Sequence, residues 1–489
     1  MKFLIDTNIL IPLEPTSPSN AEATTEQAIR LVRLVAENGH QIYLHPASLT
    51  DLSRDENTDR RDLRTQLLQK YPQLPHPPDV SNEVEAVVGK PLVGSNEYVD
   101  NLLLTALRAD AIDWLVTHDI RLHKKAKRLG LSERTLGVLD AIQVVEDLAA
   151  KPSRPVPVVE STVAHSLDAG DPILESLRQD YPGFELWLAK CKREHRQTWL
   201  VPGDAAGVAA LCIVNPETAP PEPLRGKVLR LCSFKVSERF QGLKYGELLL
   251  KTVFEYACTN HSDWIYATVF EKHADLLDLL RDCGFRELPS KTELGELVLA
   301  KPMRSDLEEL VQLDDLECHI RYGPHCFRLA EGRTYLVPIQ PRFAHLLFPE
   351  SATQPDLFHG QHPFGSAIRK AYLCHASIRT IEPGCVLAFY RSEQQQGIIA
   401  IGVVERAVVS KSSEEIARLV ARRTVYSLAT IREFCANEVL VLLFRQALVL
   451  DPPISEEDAN KGGVFTRAPQ SIMTIRKEGL EWLREKLST

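Results

Sequence analysis

The chain has no excess of positive charge, no two cysteines at CxxC spacing, no internal repeat, no low-complexity tract and no apolar run long enough to span a bilayer. Each absence excludes something. The net charge of −9 argues against a general nucleic-acid coat, although local basic patches can still hold phosphate. The ten cysteines are scattered, which argues against a zinc ribbon or a disulfide framework. They read as small buried apolar side chains in a reducing compartment. An apolar stretch stands at the N-terminus, but Asp6 interrupts it, so no signal peptide is expected. The expectation is a cytoplasmic protein with no membrane partner.

What is present is length. The 489 residues suggest about three domains, and the 44% hydrophobic content is ordinary for globular protein. Prolines punctuate the first part. Tyr71 to Val80, with Pro72, Pro75, Pro77 and Pro78, reads as a surface crossing. Lys151 to Val159, with Pro152, Pro155 and Pro157, reads as a linker. An acidic helical stretch, Leu307 to Ile320, bridges to a third region. The expected domains are 1–150, 160–304 and 330–489.

Four aspartates stand where strands end or helices begin. Asp6 ends the run Phe3-Leu4-Ile5, and Asp119 follows Trp114-Leu115-Val116-Thr117-His118. Asp51 follows His45-Pro46-Ala47-Ser48, and Asp100 precedes Asn101-Leu102-Leu103-Leu104-Thr105-Ala106. In open α/β sheets, ligands sit outside the carboxyl ends of strands. Converging carboxylates repel one another unless cations lie between them, and oxygen-only ligands select Mg²⁺ or Mn²⁺. Such a site activates water for attack on a phosphodiester. Taken singly, Asp51 and Asp100 are ordinary helix N-caps. Asp6 is not explained that way. The basic run Arg121, His123, Lys124, Lys125, Lys127 and Arg128 is a candidate phosphate track. A second cluster, Arg418, Arg422, Arg423 and Arg432, reads equally well as a solvated helix face.

Residues 1 to about 145 resemble a PIN domain in Asp6-Thr7-Asn8, Asp51, the Asp100 segment and Thr117-His118-Asp119. The resemblance implies a metal-dependent ribonuclease with Asp6, Asp51, Asp100 and Asp119 as catalytic and metal-binding acids. Asp51 stands where the family more often has Glu. Asn8 and Thr117 are expected to orient carboxylates.

From Glu194 the pattern is strand, strand, strand, helix, strand, helix. A loop, Ser237 to Gly246, opens onto an amphipathic helix, Glu247 to Cys258. Free N–H groups and the dipole of such a helix start favour an anion, though two glycines before a helix are usually just a turn. The whole order, over roughly residues 165 to 302, resembles a GNAT acetyltransferase. Gln241, Lys244 and Gly246 fall on the family's pyrophosphate loop. The resemblance implies acetyl-CoA held by Gln241, Gly242, Lys244, Tyr245, Gly246 and His273. Lys244 replaces the family's middle Gly, and His273 stands at a common Asn position. Leu280 stands where many members have the Tyr that protonates the leaving thiolate.

Residues 330–489 alternate short apolar strands with turns, which suggests a small β-barrel with helices attached. Pro338-Ile339-Gln340-Pro341-Arg342-Phe343-Ala344 and the Pro383 to Tyr390 strand resemble ASCH and wider PUA-like barrels. That implies RNA binding, with Arg342, Lys370, Tyr372, Tyr390, Arg391 and Arg432 as candidates. For Tyr372 and Tyr390, ordinary packing is the simpler reading.

The expected class is multidomain α/β and α+β: a PIN-like α/β domain with a central parallel sheet, a GNAT-like α+β domain and a PUA-like barrel. The expected function is RNA cleavage joined to acetyl-CoA binding and RNA recognition. The implied partners are RNA (tRNA among the candidates) and acetyl-CoA, with an antitoxin protein if the chain is a bacterial toxin, and a homo-oligomer is open. The alternative is an acetyltransferase acting on RNA or protein, with the first domain as a binding or regulatory module.

Overall fold

The computed structural model describes residues 1–13, 24–52, 66–68, 70–149, 158–204, 207–304, 307–351, 365, 367–393 and 395–488. The chain forms two compact units. The first comprises Met1–Lys151, Ser412–Arg422 and Tyr426–Glu433; the second comprises Pro152–Lys411, Arg423–Val425 and Phe434–Thr489.

The first unit is built on four parallel strands, β1 (Lys2–Ile5), β2 (Gln41–Tyr43), β3 (Trp114–Val116) and β4 (Thr135–Leu136), in the order β2-β1-β3-β4. Its helices are α1 (Thr7–Leu13), α2 (Thr25–Glu37), α3 (Pro46–Leu52), α4 (Asn82–Val88), α5 (Asn96–Arg108), α6 (Ile120–Arg128) and α7 (Val138–Leu148). The central strands β1 and β3 are apolar runs, Phe3-Leu4-Ile5 and Trp114-Leu115-Val116, because the middle of a parallel sheet is covered on both faces. Phe3 and Trp114 stack across β1 and β3 with centroids 4.9 Å apart, while Leu4, Leu103, Leu104, Leu107, Leu115 and Leu122 fill one core. The helix Ser413–Val420 also belongs here. Arg418 pairs with Asp113 at 3.1 Å, and Arg422 with Asp140 at 3.2 Å.

The second unit holds two sheets. One has β5 (Glu160–Val163), β6 (Gln197–Val201), β7 (Ala210–Glu217), β8 (Val228–Val236), β9 (Trp264–Val269), β10 (Arg286–Lys291) and β11 (Leu297–Pro302). Their order is β10-β11-β9-β8-β7-β6-β5, antiparallel except for the parallel pair β8–β9. Helices α8 (Glu175–Asp180) and α9 (Phe184–Arg193) precede β6, α10 (Tyr245–Thr259) joins β8 to β9, and α11 (Ala274–Asp282) follows β9. Leu249, Leu250 and Val253 of α10 pack on Leu229, Leu231, Ile265 and Ala267 of the sheet.

After α12 (Asp315–Tyr322) comes a second sheet of β12 (Thr334–Ile339), β13 (Arg369–Cys374), β14 (Val386–Arg391), β15 (Gly397–Ser410), β16 (Val439–Ser455) and β17 (Met473–Thr474), with α13 (Pro341–Leu347) after β12. The order is β13-β16-β15-β14-β12-β17. Among the described residues no ladder joins β13 to β17, so the expected barrel is present as a six-stranded mixed sheet. Register shifts along β15 and β16 bend these long strands.

Candidate functional site

The parallel pair β8–β9 positions the first candidate. Its ladder runs from Val228↔Trp264 to Leu231↔Ala267 and stops there, while β8 continues to Val236. Two parallel strands that part company leave a wedge with backbone N–H and C=O groups on its walls, open to an extended ligand. At the head of this wedge the chain turns through Gln241, Gly242 (φ +81°), Leu243 and Lys244 (φ +62°) into α10. The first-turn N–H groups of Gly246 and Glu247 have no helical carbonyl to bond. A side chain at Gly246 would bring its Cβ to 2.9 Å from Leu279 Cδ2, so glycine lets the helix start pack on α11.

Two expected cofactor contacts are otherwise engaged. The Lys244 ammonium lies 2.9 Å from Glu247 Oε1, and the Glu247 carboxylate also accepts from the Ile368 N–H at 2.6 Å. Burial works to raise the Glu247 carboxyl. The Lys244 ammonium and the Ile368 N–H overcome it and hold the group at about 2. Lys244 therefore balances a local carboxylate instead of presenting a spare charge to pyrophosphate. His273 Nε2 sits 3.0 Å from Asp180 Oδ2, and Lys272 pairs with the same carboxylate. Burial raises the Asp180 carboxyl, and these two partners bring it below its usual value. Leu280 is buried in the core under α11 and offers no proton.

The opposite face of the sheet holds polar groups that the sequence reading missed. Arg230 and Tyr266 are cross-strand partners one rung before the wedge opens. They alternate with the core residues Leu229, Leu231, Ile265 and Ala267. The Arg230 guanidinium lies over the Tyr266 ring at 5.8 Å, and the Tyr266 hydroxyl donates to Glu217 Oε2 at 2.8 Å. The Tyr181 hydroxyl donates to the buried Glu296 at 2.7 Å. Burial, then the paired carboxylate, raises both phenols, which keeps them protonated. Cys232 is an extra residue in β8, between the pairs Val214↔Leu231 and Ile213↔Ser233. The legible signal was the alternation in Leu229-Arg230-Leu231 and Ile265-Tyr266-Ala267.

In the first unit, Asp6 is buried at the end of β1 and accepts from the Thr7 N–H at 2.7 Å and from Thr117 Oγ1 at 2.7 Å. Thr117 Oγ1 in turn accepts from Asn8 Nδ2 at 3.1 Å and the Asp119 N–H at 3.0 Å. Burial raises the Asp6 carboxyl, and the charge of Asp100 adds to it. Asp100 is raised by burial against the opposing pull of Lys125, with Asp119 adding to the rise. Asp6, Asp100 and Asp119 are thus electrostatic neighbours. Among the described residues no group of three or more acids, histidines or cysteines could hold an ion. Lys125 holds Asp100 at 2.9 Å, and Asp119 Oδ1 caps α6 through the N–H groups of Arg121 and Leu122. Asp51 lies in α3, with its side chain outside the described residues. Of the basic track, Lys124 is exposed, whereas Lys125 is committed to Asp100.

The candidates in the second sheet are mostly interior. Lys370 is fully buried, with its ammonium on the carbonyls of Leu347 and Gly365. Tyr390 is fully buried edge-on to Phe465, and Tyr372 donates to the Pro338 carbonyl. Arg391 is 4% exposed and donates to the Gln395 carbonyl. Lys370, Tyr390 and Arg391 therefore do not reach a nucleic acid. Arg342 is exposed, over the Phe343 ring at 4.5 Å. Arg423 pairs with Glu405.

No helix among the described residues is long and apolar enough to cross a membrane. No curated protein matches the chain. Among solved structures it is similar to ASCH from Zymomonas mobilis, at 15% identity over 31% of this chain and 94% of that one, with a TM-score of 0.25. It is similar to a GNAT family acetyltransferase from Elizabethkingia anophelis with acetyl-CoA bound, at 17% identity over 29% and 97%, with a TM-score of 0.22. It is also similar to ribosomal-protein-alanine N-acetyltransferase from Brucella melitensis, at 18% identity over 30% and 99%, with a TM-score of 0.24. Residues 165–285, which run from before α8 to just past α11, match the acetyltransferase (GNAT) family.

Proposed function

We propose that the second unit binds acetyl-CoA in the β8–β9 wedge and transfers the acetyl group to an amine. The observation that supports this most is the end of the β8–β9 ladder at Leu231↔Ala267 beside the α10 N-terminus, within the matched stretch. The first-turn N–H groups and the helix dipole receive the pyrophosphate, and the free strand edge pairs with the amide arm of the cofactor. The acceptor amine approaches on the face that carries Arg230, Tyr266 and Glu217. Its nitrogen bonds to the thioester carbonyl carbon, the C–S bond breaks, the amine's proton passes to solvent water, and the thiolate takes a proton from Tyr266, which solvent then reprotonates. Tyr266, kept protonated, is the proton donor in place of the residue missing at Leu280. The test is release of free thiol from acetyl-CoA with a panel of amines and an N-terminal peptide. Wild-type turnover that falls roughly 10²-fold or more in Tyr266→Phe supports the reading. No thiol release with any acceptor contradicts it.

A second reading, RNA cleavage by the first unit, is favoured by Asp6, Asp100 and Asp119 feeling one another's charge at the carboxyl end of the parallel sheet. It requires divalent ions that the described acids do not gather. Mn²⁺-dependent cuts in total RNA that disappear in Asp6→Asn support it, and equal background from both proteins rejects it.

A further inference from the structure

The second unit has a half-open cavity of about 290 Å³ between α10, α12 and the middle of β16. That is near the small end of the range, roughly 300–1,000 Å³, that ligand pockets occupy. Its wall combines three groups that ordinary packing leaves incomplete.

Lys301 is 1% exposed. Its ammonium donates to the carbonyls of Ile320 at 3.0 Å and Arg321 at 2.8 Å in the last turn of α12, with the Phe254 ring 5.6 Å away. Among the described residues no carboxylate lies within ion-pair distance of it. A helix C-terminus offers only a fraction of a negative charge, and burial pushes the Lys301 amine down to about 7, so an anionic group placed on it would restore its full charge. The other cations of the wall are already balanced: Lys251 by Glu350, and Arg445 by Glu405. Gln446 is 8% exposed, and its Oε1 finds no donor. His319 is 3% exposed; its Nδ1 bonds the Cys326 carbonyl at 2.9 Å and so carries the hydrogen, which leaves Nε2 an acceptor. Exposed Glu255 and Asp451 border the cavity with negative charge.

A buried amine with no carboxylate partner and two vacant acceptors on the same wall suit a ligand that carries both an anionic group and an N–H donor. We propose that this cavity binds a free α-amino acid. Its carboxylate lies on Lys301, and its ammonium lies on Gln446 Oε1 and His319 Nε2. The acidic border favours the cationic end of such a molecule and disfavours simple anions. The site is separate from the β8–β9 wedge and does not depend on acetyl transfer. Any coupling through α10, which supplies Phe254 to the cavity and its N-terminus to the loop, does rest on that reading.

The test is calorimetric titration of the full chain with each proteinogenic amino acid in turn, with propionate and ethylamine as probes that carry only one of the two charges. At least one amino acid is expected to bind with neither control binding, and Gln446→Leu is expected to weaken it roughly 10- to 100-fold. Lys301→Met is expected to abolish it. If Lys301→Met fails to fold, because the ammonium also caps α12, Gln446→Leu decides alone, since it removes a group with no partner in the free protein. No binding by any amino acid, binding of propionate equal to that of the amino acids, or binding unchanged in Gln446→Leu overturns the proposal. Acetyl-CoA titrated into the same preparations reports the wedge independently.

Discussion

At the scale of single residues, the polar groups of this protein act through shared partners. Thr117 Oγ1 receives hydrogen bonds from Asn8 and the Asp119 N–H and gives one to Asp6. Replacing it by the isosteric Val strands three groups at once. Thr117→Val is expected to cost roughly 1–3 kcal/mol, read as a lower denaturation midpoint with an unchanged slope. Glu405 receives Arg369, Arg423 and Arg445. Burial raises its carboxyl, but the three guanidinium groups hold it at about 2 against the usual 4.5. A depressed carboxyl contributes stability above its unfolded value and loses it as pH falls through the folded one. Stability should therefore decline between about pH 4.5 and pH 2. Glu405→Gln should lessen that decline, to which Glu247 also contributes, and cost roughly 3–5 kcal/mol at neutral pH, measured by urea denaturation across pH. What sequence spacing can carry at this scale is local. Lys244 and Glu247 stand three residues apart on one helix face, so their pairing is readable in hindsight. Asp180 with His273 and Glu247 with the Ile368 N–H join distant segments that no spacing connects.

At the scale of elements, the order strand, strand, strand, helix, strand, helix expected from Glu194 is found as β6, β7, β8, α10, β9 and α11. The helix expected from Glu247 begins at Tyr245, because the left-handed turn at Lys244 directs the chain into helix two residues earlier. Lys370 and Arg391, expected at an RNA surface, are interior for a physical reason. β13 and β14 are buried on both faces, so the alternation that normally sends every second side chain to solvent does not apply. The corner after α11 makes a further prediction. Gly284 has φ +87°, and a Cβ there would meet the Ile320 carbonyl oxygen at 2.0 Å and Lys301 Nζ at 2.8 Å. Gly284→Ala combines backbone strain with a clash against the end of α12. It should cost at least about 1–3 kcal/mol, seen as a lower melting temperature.

At the scale of the whole molecule, the two units interleave along the chain. The sequence gives no sign that Ser412–Arg422 and Tyr426–Glu433 belong with the first 151 residues, because membership depends on long-range pairs such as Arg418 with Asp113. A fragment ending at Lys151 leaves that carboxylate and Asp140 without these arginines. It should melt below the first unit of the intact chain, and a peptide spanning 412–433 added in trans should raise its melting temperature. No rise would assign these residues to the second unit alone.

The central claim is that residues near the β8–β9 wedge hold acetyl-CoA. The direct measurement is calorimetric titration of acetyl-CoA into the full chain beside Gln241→Glu, which sets a carboxylate in the exposed loop that leads into α10. The account predicts saturable binding by the wild type and at least about tenfold weaker binding by the variant. No heat of binding from the folded wild type, or equal affinities in the two proteins, would contradict it.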